Sequence, residues 1–103
     1  MPWGNPTTYP FAAASIMQNA PKESGVYALY NGTTWVYVGE SSNILAQLMQ
    51  HLNGDVACIT MFPRLGFSYE LVRPGMRAWR MQEVISEFRP VCNPSLFRAD
   101  EAT

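Results

Sequence analysis

Residues 25–39 read GVYALYNGTTWVYVG, and this stretch decides the architecture. Val26–Tyr30 and Trp35–Val38 are rich in β-branched and aromatic side chains, which suit a pleated surface, and they flank the turn-forming pair Asn31-Gly32. A β-hairpin is therefore expected. Side chains alternate between the faces of a strand, so the register of the hairpin decides whether Tyr27 and Tyr37 share a face. A three-residue connection or a bulge puts them together, whereas a plain two- or four-residue loop separates them.

Downstream, Ile44, Leu45, Leu48 and Leu52 recur at helical spacing, with Ser41, Ser42 or Asn43 as cap and Asn53-Gly54 as stop. Asn43, Gln47 and His51 form a second stripe beside that apolar face. Ala57–Met61 is expected to add a short strand. Phe67–Val72 alternates as a further strand, with Phe67 and Tyr69 on one face and Ser68 and Glu70 on the other. Pro74 opens a last helix whose core stripe is Met81, Val84, Ile85 and Phe88, ended by Pro90, with Arg80, Glu83 and Glu87 pointing away from it.

Upstream, Pro2, Pro6 and Pro10 predict an extended arm that Trp3 and Tyr9 pin down. FAAASIMQN at 11–19 predicts a short helix capped by Thr7 or Thr8 and stopped by Pro21. The expectation is an α+β domain of order β-β-α-β-α, with a three-stranded, mainly antiparallel sheet and flanking helices. Residues 1–23 form an arm and short helix packed on the domain, 24–93 the domain itself, and 94–103 a flexible tail.

At 103 residues, with 48% hydrophobic and 15% charged, the chain suits one packed core. No apolar run approaches the roughly 20 residues a bilayer needs, and Met1–Ala20 lacks the pattern of a signal peptide, so no membrane and a cytoplasmic location are expected. Cys58 and Cys92 have neither metal-site nor redox-motif spacing and read as buried thiols, with a disulfide as the alternative. A net charge of −1 argues against generic nucleic-acid binding. The charge is uneven, however: six of the seven cationic residues lie between Arg64 and Arg98, and Arg73, Arg77 and Arg80 are the candidates for tracking phosphates.

Gly25-Val26-Tyr27, then Tyr37-Val38-Gly39, then a helix bearing His51, then Pro90 and Asn93, resemble the GIY-YIG endonuclease pattern over residues 24–93. The resemblance implies metal-dependent hydrolysis of DNA phosphodiesters with Mg²⁺ or Mn²⁺ as cofactor. It implies catalytic positions at Tyr27, Tyr37, His51 and Gln47, and structural positions at Gly25, Gly39 and Asn93. Two of the family's charged groups are replaced: Gln47 stands for an arginine, and Met81 for the metal-holding glutamate. Glu83 and Glu40 are the remaining candidates for the metal. A phenol with an ordinary pKa near 10 accepts a proton at neutral pH only when positive charge lowers that value, which is the role the resemblance gives the arginine.

Each surviving residue also has a structural explanation. The tyrosines suit a cross-strand aromatic pair, and His51 suits a cation at a helix C-terminus. Two functions follow from these residues. One is a nuclease weakened by its lost partners. The other is a non-catalytic module that binds nucleic acid or a protein partner on the same fold.

Overall fold

The computed structural model describes Trp3 and residues 7–93, so the expected tail at 94–103 lies outside the described range. The hairpin forms as expected, from β2 (Gly25–Tyr30) and β3 (Trp35–Ser41). Its turn is built by Asn31, whose Oδ1 accepts from the backbone N–H groups of Thr33 (3.2 Å) and Thr34 (2.9 Å), and by Gly32 at φ +97°. Four residues separate the strands, which alone would split the tyrosines between faces. The register shifts, however: Leu29 faces Tyr37 and Tyr30 faces Trp35, leaving Val36 as an extra residue. That bulge returns Tyr27 and Tyr37 to one face.

The sheet has four antiparallel strands in the order β1-β4-β2-β3, rather than three. The additional strand β1 is only Tyr9–Pro10, pairing with β4 (Gly66–Leu71). Its placement at an edge suits the proline, which has no N–H to donate to a neighbour. Tyr9 packs on Phe67 and stacks on Tyr69, with ring centroids 5.3 and 6.2 Å apart.

Three helices cover the tyrosine face: α1 (Ala13–Asn19), α2 (Ile44–Leu52) and α3 (Ala57–Thr60). Between them and the sheet lie Ile16, Leu29, Ile44, Leu48, Ile59 and Phe67, all essentially sealed from solvent. Each such side chain contributes about 2 kcal/mol by leaving water. Asn43 caps α2, its Oδ1 accepting from the Ala46 N–H at 3.0 Å. The expected cap of α1 is corrected: Ala12 occupies that position with no side-chain bond, because the turn at Pro10 starts the helix at Ala13, five residues beyond Thr8. The strand expected at 57–61 is likewise a helix. Its β-branched residues are outweighed by burial of Ile59 and by the Thr60 hydroxyl donating to the Ala57 carbonyl.

On the other face, a 3-10 turn at Pro74–Met76 leads into α4 (Arg77–Phe88). Val84 closes a second core against Val26, Ala28 and Val38, extended by Met81 and by Phe88, whose ring lies 3.9 Å from that of Trp35. Trp3 docks here too, its indole N–H donating to Ser68 Oγ at 3.0 Å. Arg89 ends α4 in the left-handed conformation, and Pro90 follows.

Residues 91–93 close the exposed edge of β3. The N–H groups of Val91 and Cys92 donate to the carbonyls of Trp35 and Val36. The Asn93 amide then both donates to and accepts from the Val38 backbone, each bond 2.7 Å. Instead of two thiols, Cys58 and Cys92 form a disulfide that ties α3 to this edge segment.

Candidate active site

Tyr27 enters the site from the central strand β2, Tyr37 from β3, and His51 from the last turn of α2. Their rings converge: centroids are 6.3 Å apart for Tyr27–Tyr37, 5.5 Å for Tyr27–His51 and 5.1 Å for Tyr37–His51. The Tyr27 hydroxyl lies 2.6 Å from His51 Nε2. Tyr27 and His51 are 2% and 3% exposed, and Tyr37 is the more open of the three.

The two motif glycines have steric explanations. A Cβ on Gly39 would sit 2.3 Å from the Tyr27 hydroxyl oxygen, and one on Gly25 would sit 2.3 Å from the Glu70 carbonyl oxygen. Gly39 therefore leaves room for the phenol, and Gly25 lets two strands and α2 pack closely.

Burial holds the Tyr27 phenol well above its ordinary pKa, and the nearby Tyr37, Asp55 and Glu40 push in the same direction. Tyr37 is raised as well, by burial and then by Asp55. The positive charge that would lower a tyrosine pKa is thus missing from its effect on both rings, and Tyr27 is a neutral hydroxyl rather than a phenolate base. Gln47 sits one turn before His51 on α2, half-buried.

One participant was not singled out from the sequence. Asp55 Oδ1 lies 2.8 Å from His51 Nδ1. The sequence signal was the spacing of His51 and Asp55, masked by the helix stop at Asn53-Gly54 between them.

The candidates for metal and phosphate are largely committed elsewhere. Glu40 alternates to the face opposite Tyr27, where its carboxylate accepts from Arg77 Nε at 2.6 Å, and Arg77 also donates to Ser24 Oγ at 3.0 Å. Glu83 accepts from Arg80 Nη1 at 3.1 Å. Met81 packs in the apolar cluster beneath α4 and offers no oxygen. A hard cation such as Mg²⁺ takes oxygen ligands, and the described residues contain no group of three or more His, Cys, Asp or Glu arranged to hold a metal. The described residues therefore do not fit the metal that the resemblance implied.

Arg80 is corrected as an outward-facing residue. It is 5% exposed, with Nε and Nη2 donating to the two oxygens of Glu70 at 2.5 and 3.0 Å. Glu70 raises its pKa further, so the charge is permanent and internally matched. Arg73 is exposed. Arg64, also exposed and at φ +57°, lines a cavity of about 250 Å³ together with His51, Phe11, Thr60 and Phe62. The left-handed backbone costs a residue other than glycine about 1 kcal/mol.

The chain is similar in structure to the GIY-YIG N-terminal endonuclease domain of UvrC from Thermotoga maritima, solved bound to magnesium as its catalytic divalent cation. The TM-score is 0.64 at 20% identity, over 79% of this chain and 94% of that one. A tyrosine-to-phenylalanine point mutant of the same domain, again with its catalytic divalent cation, matches with a TM-score of 0.61 at 21% identity, over 76% and 93%. In sequence, 41 residues, or 40% of this chain, are 40% identical to the UvrABC system protein C of Aquifex aeolicus. That match spans 7% of the relative's length. No family model matches the chain.

Proposed function

Starting from a chain that has the GIY-YIG endonuclease fold, we propose a DNA-directed nuclease domain whose cleft hydrolyses phosphodiesters slowly, through its own tyrosine and histidine. The observation that carries this reading is the meeting of Tyr27, Tyr37 and His51, with the Tyr27 hydroxyl 2.6 Å from the imidazole. In the Thermotoga domain, the three tyrosines replaced in point mutants solved with the catalytic cation are spaced ten and then fourteen residues apart. Tyr27, Tyr37 and His51 repeat that spacing.

The roles follow from burial and geometry. Tyr37, the most open ring, meets the substrate. An attacking water passes its proton to the Tyr27 oxygen as the Tyr27 proton moves to His51 Nε2. The water oxygen bonds to phosphorus, the bond to the leaving oxygen breaks, and the proton held on the imidazole returns to that oxygen or to solvent. General-base assistance of this kind is worth about 10²- to 10⁴-fold. Replacing the family arginine by Gln47 removes one preorganised charge, a loss on the order of 3 kcal/mol, which accounts for a slow enzyme.

Arg64 and Arg73 are the proposed contacts to the DNA backbone, since Arg77 and Arg80 are held in ion pairs. Cytoplasmic action fits a DNA substrate. There the Cys58–Cys92 pair meets reducing thiols, so mass spectrometry of the alkylated protein from cells reports which state operates.

Incubating the protein with duplex, single-stranded and branched DNA, in Mg²⁺, in Mn²⁺ and in chelator, tests the reading. Cleavage should exceed that of Tyr27→Phe. Rates equal to that variant under every condition would leave the second reading, a non-catalytic binding module. The packing of Met81 where the family has a glutamate favours that alternative.

A further inference from the structure

We propose that Asp55 is a positioning residue that fixes His51 in one tautomer and so makes the Tyr27 hydroxyl the donor to Nε2. This rests on the nuclease reading for its purpose, but not for its geometry. A carboxylate oxygen only accepts, so at 2.8 Å from Asp55 Oδ1 the Nδ1 atom must carry hydrogen. In the neutral imidazole Nε2 is then bare, and the group 2.6 Å from it is the Tyr27 hydroxyl, which must donate. Proton flow through the site acquires a direction, from Tyr27 to His51. Asp55 also stabilises the imidazolium that forms when the proton arrives.

Asp55 is held in place from both sides. Asn53 ends α2, its N–H reaching the Met49 carbonyl at 3.2 Å, and Gly54 turns the chain at φ +89°, its N–H donating to the His51 carbonyl at 3.0 Å. The left-handed turn brings Asp55 back beneath the ring it serves. A side chain on residue 54 would be strained in that conformation. Three residues on, Cys58 is covalently bound to Cys92, and Ile59 is buried, so the segment after Asp55 is anchored as firmly as the segment before it. With a side chain 28% exposed, Asp55 sits at the rim, where its removal leaves no cavity in the core.

The chain has a single histidine, so its two imidazole nitrogens can be assigned without ambiguity. Long-range ¹H–¹⁵N correlation spectra of histidine-labelled protein at pH 8 should show Nδ1 protonated and Nε2 not. Asp55→Ala should lose that preference and move towards a mixture or the opposite tautomer, and Gly54→Ala should shift it partly in the same direction. Asp55→Glu should restore it in part. A wild-type protein with hydrogen on Nε2, or an Asp55→Ala spectrum like that of the wild type, would overturn the assignment. In the cleavage assay, Asp55→Ala should lower kcat about 10²-fold or more with KM little changed. If neither protein cleaves DNA, the nuclease reading fails while the spectra still decide the role of Asp55.

Discussion

Gly39→Ala is the sharpest steric probe of the site. The added methyl carbon would lie 2.3 Å from the Tyr27 oxygen and 2.5 Å from its Cζ, against an ordinary contact of about 3.5 Å or more. Tyr27 is 2% exposed, enclosed by β3 and α2, so the ring has little room to retreat. Overpacking of a closed core costs about 1–3 kcal/mol. Moving the phenol also breaks its bond to His51, a further ~1 kcal/mol. The sum, about 2–4 kcal/mol, should lower Tm by on the order of 10 °C or more in a domain of this size. Urea denaturation of wild type, Gly39→Ala, Tyr27→Phe and the double variant measures the coupling. Tyr27→Phe removes the closest contact, so Gly39→Ala should cost about 1 kcal/mol less in that background. A Gly39→Ala variant within 0.5 kcal/mol of wild type, or strictly additive changes, would refute the packing described for this ring.

Further outcomes follow from other contacts. Since burial raises the folded-state pKa of Tyr27 above the unfolded value of 10.0, stability from this group is complete below pH 10 and declines above it. By pH 11 the loss from Tyr27 is about 1.4 kcal/mol, and Tyr27→Phe should flatten the alkaline limb of a stability–pH curve. Asn93→Ala strips both bonds from the buried Val38 backbone and should cost about 2–4 kcal/mol by urea denaturation, with faster amide exchange in β3. Replacing both cysteines by serine opens a loop of 34 residues' separation and should cost up to about 4 kcal/mol, read in the same assay without reductant. Arg64→Glu should weaken DNA binding and reduce its log–log salt slope by about 1, read by fluorescence anisotropy, whereas Arg80→Lys should leave the slope unchanged.

Local patterning accounts for what could be foreseen. The hairpin was legible because Asn31-Gly32 sits between two β-forming runs, and α2 and α4 because apolar residues recur at helical spacing up to Gly54 and Pro90. The meeting of Tyr27 with Tyr37 was undecided, because it depends on a single bulged residue, Val36, whose side chain gives no local sign of it. The rest was set by distant partners. β1 is two residues long and exists only through β4. Arg80 turns inward because Glu70 stands on a strand ten residues earlier, on the face that α4 happens to cover. A disulfide across 34 residues likewise depends on the edge segment at 91–93 reaching α3. Asp55 could have been found from its four-residue offset to His51, had the turn between them been read as a return of the chain rather than an end of the helix.

If Tyr27 and His51 act on a phosphodiester as one unit, a double-variant comparison of cleavage rates will show it. Single-turnover rates on the best-cleaved DNA are measured for wild type, Tyr27→Phe, His51→Ala and the combination. Either single change should remove most of the activity, and the combination should be no worse than the more severe single variant. Losses that multiply would contradict joint action, as would cleavage that survives both changes.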